Sequence, residues 1–158
     1  MKAGTIVFLK ISIFIIGLIT ICVSLFILPS LAERSATMNP EYAFLRFPVL
    51  IGIYMTAIPF FFSLYHAFKL LSVIKNENAF SELAVHSLKH IKYSAMTIII
   101  LYIIGMLFLF FVNALHPGIA MIGMAIVFAT LVISVFAAVL QELLSSAIQM
   151  KLENDLTV

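Results

Sequence analysis

Two histidines spaced four residues apart are the residues best placed for metal chemistry. On a helix, His86 and His90 share one face, and that spacing lets two imidazoles bind one metal ion. A metal site usually needs more ligands and supporting partners, for which His66 and Glu82 are the candidates. The alternative is a set of polar histidines at the membrane–water interface. We favour this alternative and predict no metal site.

The other residue types argue against catalysis and cofactor binding. The sequence contains no nucleophile elbow, P-loop, dinucleotide fingerprint or HExxH motif. Its single cysteine, Cys22, lies in an apolar run and cannot form an internal disulfide. The apolar runs hold Thr, Ser and Tyr instead of the ionisable residues that ion-coupled transporters place in their spans. We therefore predict a non-enzymatic protein with no catalytic residues and no cofactor.

Long uncharged stretches separate the polar parts of the chain. Its 158 residues are 64% hydrophobic and 10% charged, which is too little charge for the surface of a soluble domain. No Asp, Glu, Lys or Arg occurs in residues 11–32, 47–68 or 93–141. Each stretch reaches the roughly 20 residues that cross a bilayer, and the last is long enough to cross twice. The sequence predicts one all-α domain, an integral membrane bundle of four transmembrane helices.

Prolines and polar residues set the predicted boundaries. The spans cover about residues 11–29, 48–68, 93–115 and 119–140, leaving a cytoplasmic hinge segment at 69–92 and a cytoplasmic tail at 141–158. Pro29 predicts the end of the first helix, because its ring removes an amide donor. Pro59 predicts a kink in the second span, where Thr56 or Ser63 helps to satisfy the freed backbone groups. The kink is either packing geometry or a hinge used in signalling.

The second half of the hinge segment has helical periodicity. One face is apolar and the opposite face carries Glu82, His86 and Lys89; the apolar residues are Phe80, Leu83, Ala84, Leu88 and Ile91. This pattern predicts an amphipathic helix that lies against the headgroups before the third span. Ser81 is its predicted N-cap, with an oxygen that accepts an early backbone amide.

The distribution of Lys and Arg predicts the orientation. The amino terminus carries two of these residues, the hinge segment four and the tail one, whereas the loops on the other side carry only Arg34 and Arg46. By the positive-inside rule, both termini and the hinge segment are cytoplasmic. The net charge of +2 is too small to indicate direct nucleic-acid binding.

The hinge segment and the tail are the sizeable polar segments on the predicted cytoplasmic side. They predict a docking surface for a cytosolic partner, formed by Glu82, His86, Lys89, Glu153 and Asp155. The acidic tail residues would attract a basic, DNA-binding partner. The alternative is that both segments are solvated helix ends.

The fourth span carries small residues at helical spacing, among them Ala125, Ala129 and Ser134. They predict either a close internal contact between helices, called a seam below, or a homo-oligomer contact.

Three segments point to a family. Asn78-Ala79-Phe80-Ser81, Leu88-Lys89-His90-Ile91 and the terminal Glu153-Asn154-Asp155-Leu156-Thr157-Val158 resemble the YoaS-like family, small bacterial four-helix membrane proteins with a domain of unknown function. Ala79 stands where family members often have proline. The resemblance implies a bacterial cytoplasmic membrane and no established catalytic residues. It also suggests a partner, since such proteins are often encoded beside a very small helix-turn-helix regulator.

Together these observations predict a function. We expect a non-enzymatic regulatory or sensory membrane protein that acts on a small cytosolic transcription regulator. The alternative is a small transporter or a pore-forming oligomer for an unidentified solute.

Overall fold

The computed structural model describes residues 2–157, which form long helices. The first apolar run gives α1 (Ala3–Cys22), a π-helical turn (Val23–Ile27) and α2 (Leu28–Met38). A short 3-10 helix, Pro40–Leu45, leads into α3 (Arg46–Lys75). The chain then forms α4 (Glu82–Phe111) and α5 (Pro117–Leu156). Within residues 2–157 there is no strand, and four helical stretches are long and apolar enough to cross a membrane. The prediction of an all-α protein with four spans is confirmed.

Most of the helical surface is apolar and uncovered by the protein itself. Phe14, Phe26 and Met121 are each more than 70% exposed. Such a surface is unfavourable in water, whereas in lipid only the backbone needs internal hydrogen bonds, which helices supply. The membrane environment therefore stabilises these helices, with relatively few residues buried between them.

The helices pack in the order α1, α3, α4, α5, each against the next. Along α1 and α3, Lys10 lies over the ring of Phe68, and the Tyr54 hydroxyl donates to the carbonyl of Ser24. These contacts make the two helices antiparallel. The amino terminus therefore lies at the end of the protein where residues 76–81 connect α3 to α4, which we call the loop end.

Close contacts also make α4 and α5 antiparallel. The Lys92 ammonium donates to the Gln141 side-chain oxygen at 3.0 Å, near the loop end. Nearer the opposite end, Gly123 is buried against the side chain of Met106. Among the small residues predicted as a seam, Ser134 is buried whereas Ala125 and Ala129 are exposed. Only part of that pattern therefore faces α4.

The prediction that Pro29 ends the first helix is wrong. The helix continues to Met38 because the turn before the proline widens into a π-helical turn, in which the Leu28 amide bonds to the Val23 carbonyl. If this π-helical pattern continued by one residue, the backbone nitrogen of Pro29 would donate to the Ser24 carbonyl, but proline has no amide hydrogen. The Tyr54 hydroxyl supplies the missing donor at 2.7 Å. A side chain from α3 therefore compensates for a proline in the first span.

The predicted amphipathic helix before the third span is also incorrect as a separate element. Residues 82–92 are the first turns of α4, which runs without a break to Phe111. No glycine or proline lies between Glu82 and Tyr93 to end a helix there. Ala84 and Leu88 are buried against neighbouring helices, whereas Leu83 and Phe80 stay exposed. Ser81 is the N-cap as predicted, with its side-chain oxygen accepting the Ala84 amide.

Both short connections use a residue with positive φ after the helix end. Glu77 follows α3 with a φ of 61°, and Asn113 follows α4 with a φ of 55°. The left-handed conformation reverses the chain, and asparagine tolerates it better than most residues. The Tyr42 hydroxyl donates to the Asn113 carbonyl at 3.1 Å, which ties the loop after the first span to the turn between α4 and α5.

Candidate functional site

Three histidines from two helices meet near the loop end. His66 on α3 is only 7% exposed, and its ring stacks on that of His90 on α4 with centroids 4.4 Å apart and planes 23° apart. The His86 ring meets that of His90 edge-on, with the two centroids 4.4 Å apart. Phe62 packs edge-on against both His66 and His90. Sequence analysis had singled out all three histidines, and the structure shows that they lie in contact.

The contact between His86 and His90 is polar. Their Nε2 atoms lie 3.3 Å apart, so one nitrogen donates a hydrogen and the other accepts it. His86 is exposed and His90 half-buried. The Nδ1 atom of His66 is buried and has no hydrogen-bond partner in the structure. The cluster therefore combines a polar contact between two imidazoles with a buried nitrogen on the third that has no hydrogen-bond partner.

An open groove lies between the start of α4 and the second half of α5, and we call it the α4–α5 groove. Its α4 side is formed by Glu82, Leu83, Val85, His86 and Lys89, and its α5 side by Gln141, Ser145 and Ile148. Three of the five predicted docking residues thus line a single groove, together with apolar side chains. This lining offers both hydrogen bonds and apolar contact to a bound segment.

The other two predicted docking residues lie elsewhere. Glu153 and Asp155 are exposed on the last turns of α5, past Ile148, where α5 extends beyond the start of α4. They are outside the groove lining but at the same end of the protein.

The predicted hinge residue, Pro59, is an interior residue of α3. The Thr56 hydroxyl bonds to the Ile53 carbonyl, not to that of Met55. A hinge at Pro59 stays a prediction.

Metal-ligand geometry is limited to two side chains. Within residues 2–157, no group of three or more His, Cys, Asp or Glu side chains is arranged to hold a metal ion. Glu82, predicted as a further ligand candidate, lines the groove beside His86 but completes no such group.

Sequence reasoning missed the Lys92–Gln141 contact and the pairing of His66 with His90. The pairing of His66 with His90 could have been predicted from their equal distances along the sequence from the connection between α3 and α4. His66 and His90 each lie twelve positions from Asn78, in the middle of the connection between α3 and α4. When a short connection joins two antiparallel helices, residues equally distant from it lie at the same height.

Comparisons with known proteins place the chain in a family. A family model described as "Protein of unknown function (DUF2975)" matches residues 30–158. The chain belongs to the DUF2975 family. It is also 49% identical over 154 residues to a Bacillus subtilis (strain 168) protein called "Uncharacterized membrane protein YoaS", a match that covers 96% of each chain. No solved structure matches the chain. The predicted resemblance to the YoaS-like family is thus confirmed.

The DUF2975 match covers the candidate site. The three histidines, the α4–α5 groove and the acidic tail lie within the matched residues, whereas most of the first span lies before them. The relative's name agrees with a membrane protein. Neither name describes an activity.

Proposed function

We propose that this protein is a non-enzymatic regulatory membrane protein that binds a small cytosolic helix-turn-helix transcription regulator. The observation that carries the proposal is the α4–α5 groove, where polar and apolar side chains from two helices line one open surface at the loop end. A protein segment needs such a mixture, because apolar contact supplies affinity and polar groups fix the register.

The proposed setting is a bacterial cytoplasmic membrane with both termini in the cytoplasm. The loop end carries Lys2, Lys10 and Lys151 together with the four lysines of residues 69–92. The opposite end has Arg34 and Arg46, and the latter lies 3.9 Å from Glu33. The larger number of Lys and Arg residues at the loop end supports a cytoplasmic position for the groove.

The overhang of α5 extends the proposed docking surface. Its exposed Glu153 and Asp155 lie past the groove, where they can attract the basic surface of a DNA-binding protein before it docks. Within the groove, Glu82, His86 and Lys89 would then provide the short-range polar contacts. The tail residues would thus attract the partner from a distance, and the groove residues would bind it, at the same end of the protein.

Site-specific photocrosslinking tests this proposal. A photoreactive phenylalanine analogue replaces Leu83, which is exposed and lines the groove, or Phe128, which is exposed in the middle of α5 and serves as the matched control. We expect a protein adduct from Leu83 in native cells, identified by mass spectrometry as a small DNA-binding protein. The control should give lipid adducts only.

Two changes to the docking surface complete the test. Glu82→Ala combined with Lys89→Ala, or truncation after Met150, should reduce the Leu83 adduct while membrane insertion stays normal, because the spans are untouched. An adduct that is absent at Leu83, or equally strong in all of these variants, would contradict the proposed docking surface. Solute flux through the purified protein in proteoliposomes would instead favour the transporter alternative.

A further inference from the structure

We propose that His86 and His90 together bind one divalent transition-metal ion of the zinc, nickel or copper class through their Nε2 atoms. This proposal does not rest on the proposed function, although His86 belongs to both the metal site and the docking surface. It lies where the groove meets the histidine cluster, since His86 lines the groove and His90 stacks on His66.

The separation of the two Nε2 atoms fits two ligands of one metal ion. They are 3.3 Å apart. In a tetrahedral zinc site with zinc–nitrogen bonds of about 2.0–2.1 Å, neighbouring nitrogen atoms are about 3.3–3.4 Å apart. The metal can therefore bind between the rings with little change in the distance between the two nitrogens. The proton now shared by these atoms moves to an Nδ1 atom, so both Nε2 lone pairs become ligands.

Neighbouring rings restrict the freedom of His90. His66 stacks on its face and Phe62 meets it edge-on at 5.5 Å between centroids. An imidazole held in this way loses less rotational entropy on binding a metal than a free surface histidine does. The buried Nδ1 of His66, which lacks a partner, is a polar atom in the same cluster that a metal-bound water could satisfy.

The coordination is open because the protein supplies two ligands only. Water fills the remaining positions, and Glu82 stays outside the coordination sphere. Imidazole nitrogen favours zinc, nickel and copper, whereas magnesium and calcium prefer oxygen ligands. The site should consequently discriminate by metal class and should bind less tightly than a closed structural zinc site.

Zinc binding to the purified full-length protein tests the proposal. The protein is prepared in detergent with a purification tag that contains no histidine, and zinc is measured by equilibrium dialysis. We expect about one zinc ion per chain, and an affinity about tenfold or more lower in His86→Gln or His90→Gln. His116→Gln is the matched control, since His116 lies in the turn at the opposite end, and it should bind zinc normally. Magnesium should not compete.

Folding defects and alternative ligands can be separated from loss of the site. His86 is exposed, so His86→Gln should unfold at the same temperature as the unchanged protein without metal. His66→Phe keeps a ring beside His90 and should lower the zinc affinity less than His90→Gln does, since His66 is a supporting group and not a ligand. Undiminished zinc binding in His86→Gln would overturn the proposal. Loss of binding in His66→Phe would overturn the assignment of two ligands.

Discussion

Gly123→Leu is expected to lower the free energy of unfolding by about 2–3 kcal/mol through overpacking of the contact between α4 and α5. A Cβ atom at this position would lie 2.5 Å from Met106 Sδ and 3.2 Å from Met106 Cγ. The methionine side chain is flexible, but leucine adds three more carbon atoms to a site that is already buried. The measurement is reversible unfolding in mixed detergent micelles.

A matched glycine controls for helix propensity. Gly105 lies within α4 and an added Cβ there has no atom within 4 Å. Gly105→Leu should be neutral or slightly stabilising, because leucine favours the helix over glycine. Adding Met106→Ala to Gly123→Leu should recover part of the lost stability by making room. Equal stability of the Gly105 and Gly123 variants would show that the two helices do not pack closely at this position.

Tyr54→Phe is expected to destabilise the protein by about 1–2 kcal/mol, because it removes the hydrogen bond that the Ser24 carbonyl accepts from α3. This carbonyl belongs to the π-helical turn and accepts a hydrogen bond of 2.7 Å from the Tyr54 hydroxyl on α3. In hydrocarbon, no water can replace the lost hydrogen bond. Tyr65→Phe, at an exposed tyrosine on the same helix, is the control and should have little effect.

A double-mutant cycle links this effect to the proline. Pro29→Ala restores an amide hydrogen to the first span, so the backbone can satisfy the carbonyls that the proline leaves free. In the Pro29→Ala background, Tyr54→Phe should cost clearly less than it does in the natural sequence. The same cost in both backgrounds would mean that the tyrosine acts through packing and that our account of the π-helical turn is incorrect.

The number of spans could be predicted because it depends on the length, apolar composition and lack of charge of local stretches. Uncharged stretches of bilayer length have few alternatives to transmembrane helices, so residues 11–32, 47–68 and 93–141 determined the result. The N-cap at Ser81 was also predictable, since its side chain bonds to a backbone amide three residues away. Both inferences needed only local information.

The errors arose where a distant residue decides the local structure. Pro29 has the local properties of a helix stop, yet Tyr54, in a different span, allows the helix to continue. The periodicity of residues 82–92 is helical as predicted, but packing against α3 and α5 makes these residues part of the third spanning helix. Sequence periodicity cannot distinguish a separate surface helix from the first turns of a longer one.

The candidate site was predictable in its members but not in its geometry. His66, His86 and His90 attract attention by residue type, whereas the ring stacking depends on the register between α3 and α4. The docking residues divide in the same way: Glu82, His86 and Lys89 share a groove, but Glu153 and Asp155 lie beyond it because α5 is longer than α4. Where each helix leaves the bilayer stays a prediction.

Cysteine labelling gives the most direct test of the central claim, which is that the loop end with its groove faces the cytoplasm. In a Cys22→Ser background, Thr37→Cys should react with a membrane-impermeant maleimide on intact cells. Asn76→Cys, in the connection between α3 and α4, should react only after the membrane is permeabilised. Both positions are exposed in the structure, so reactivity reports the compartment and not burial. Labelling of Asn76→Cys from outside, with Thr37→Cys protected, would place the groove out of reach of a cytosolic regulator and contradict the account.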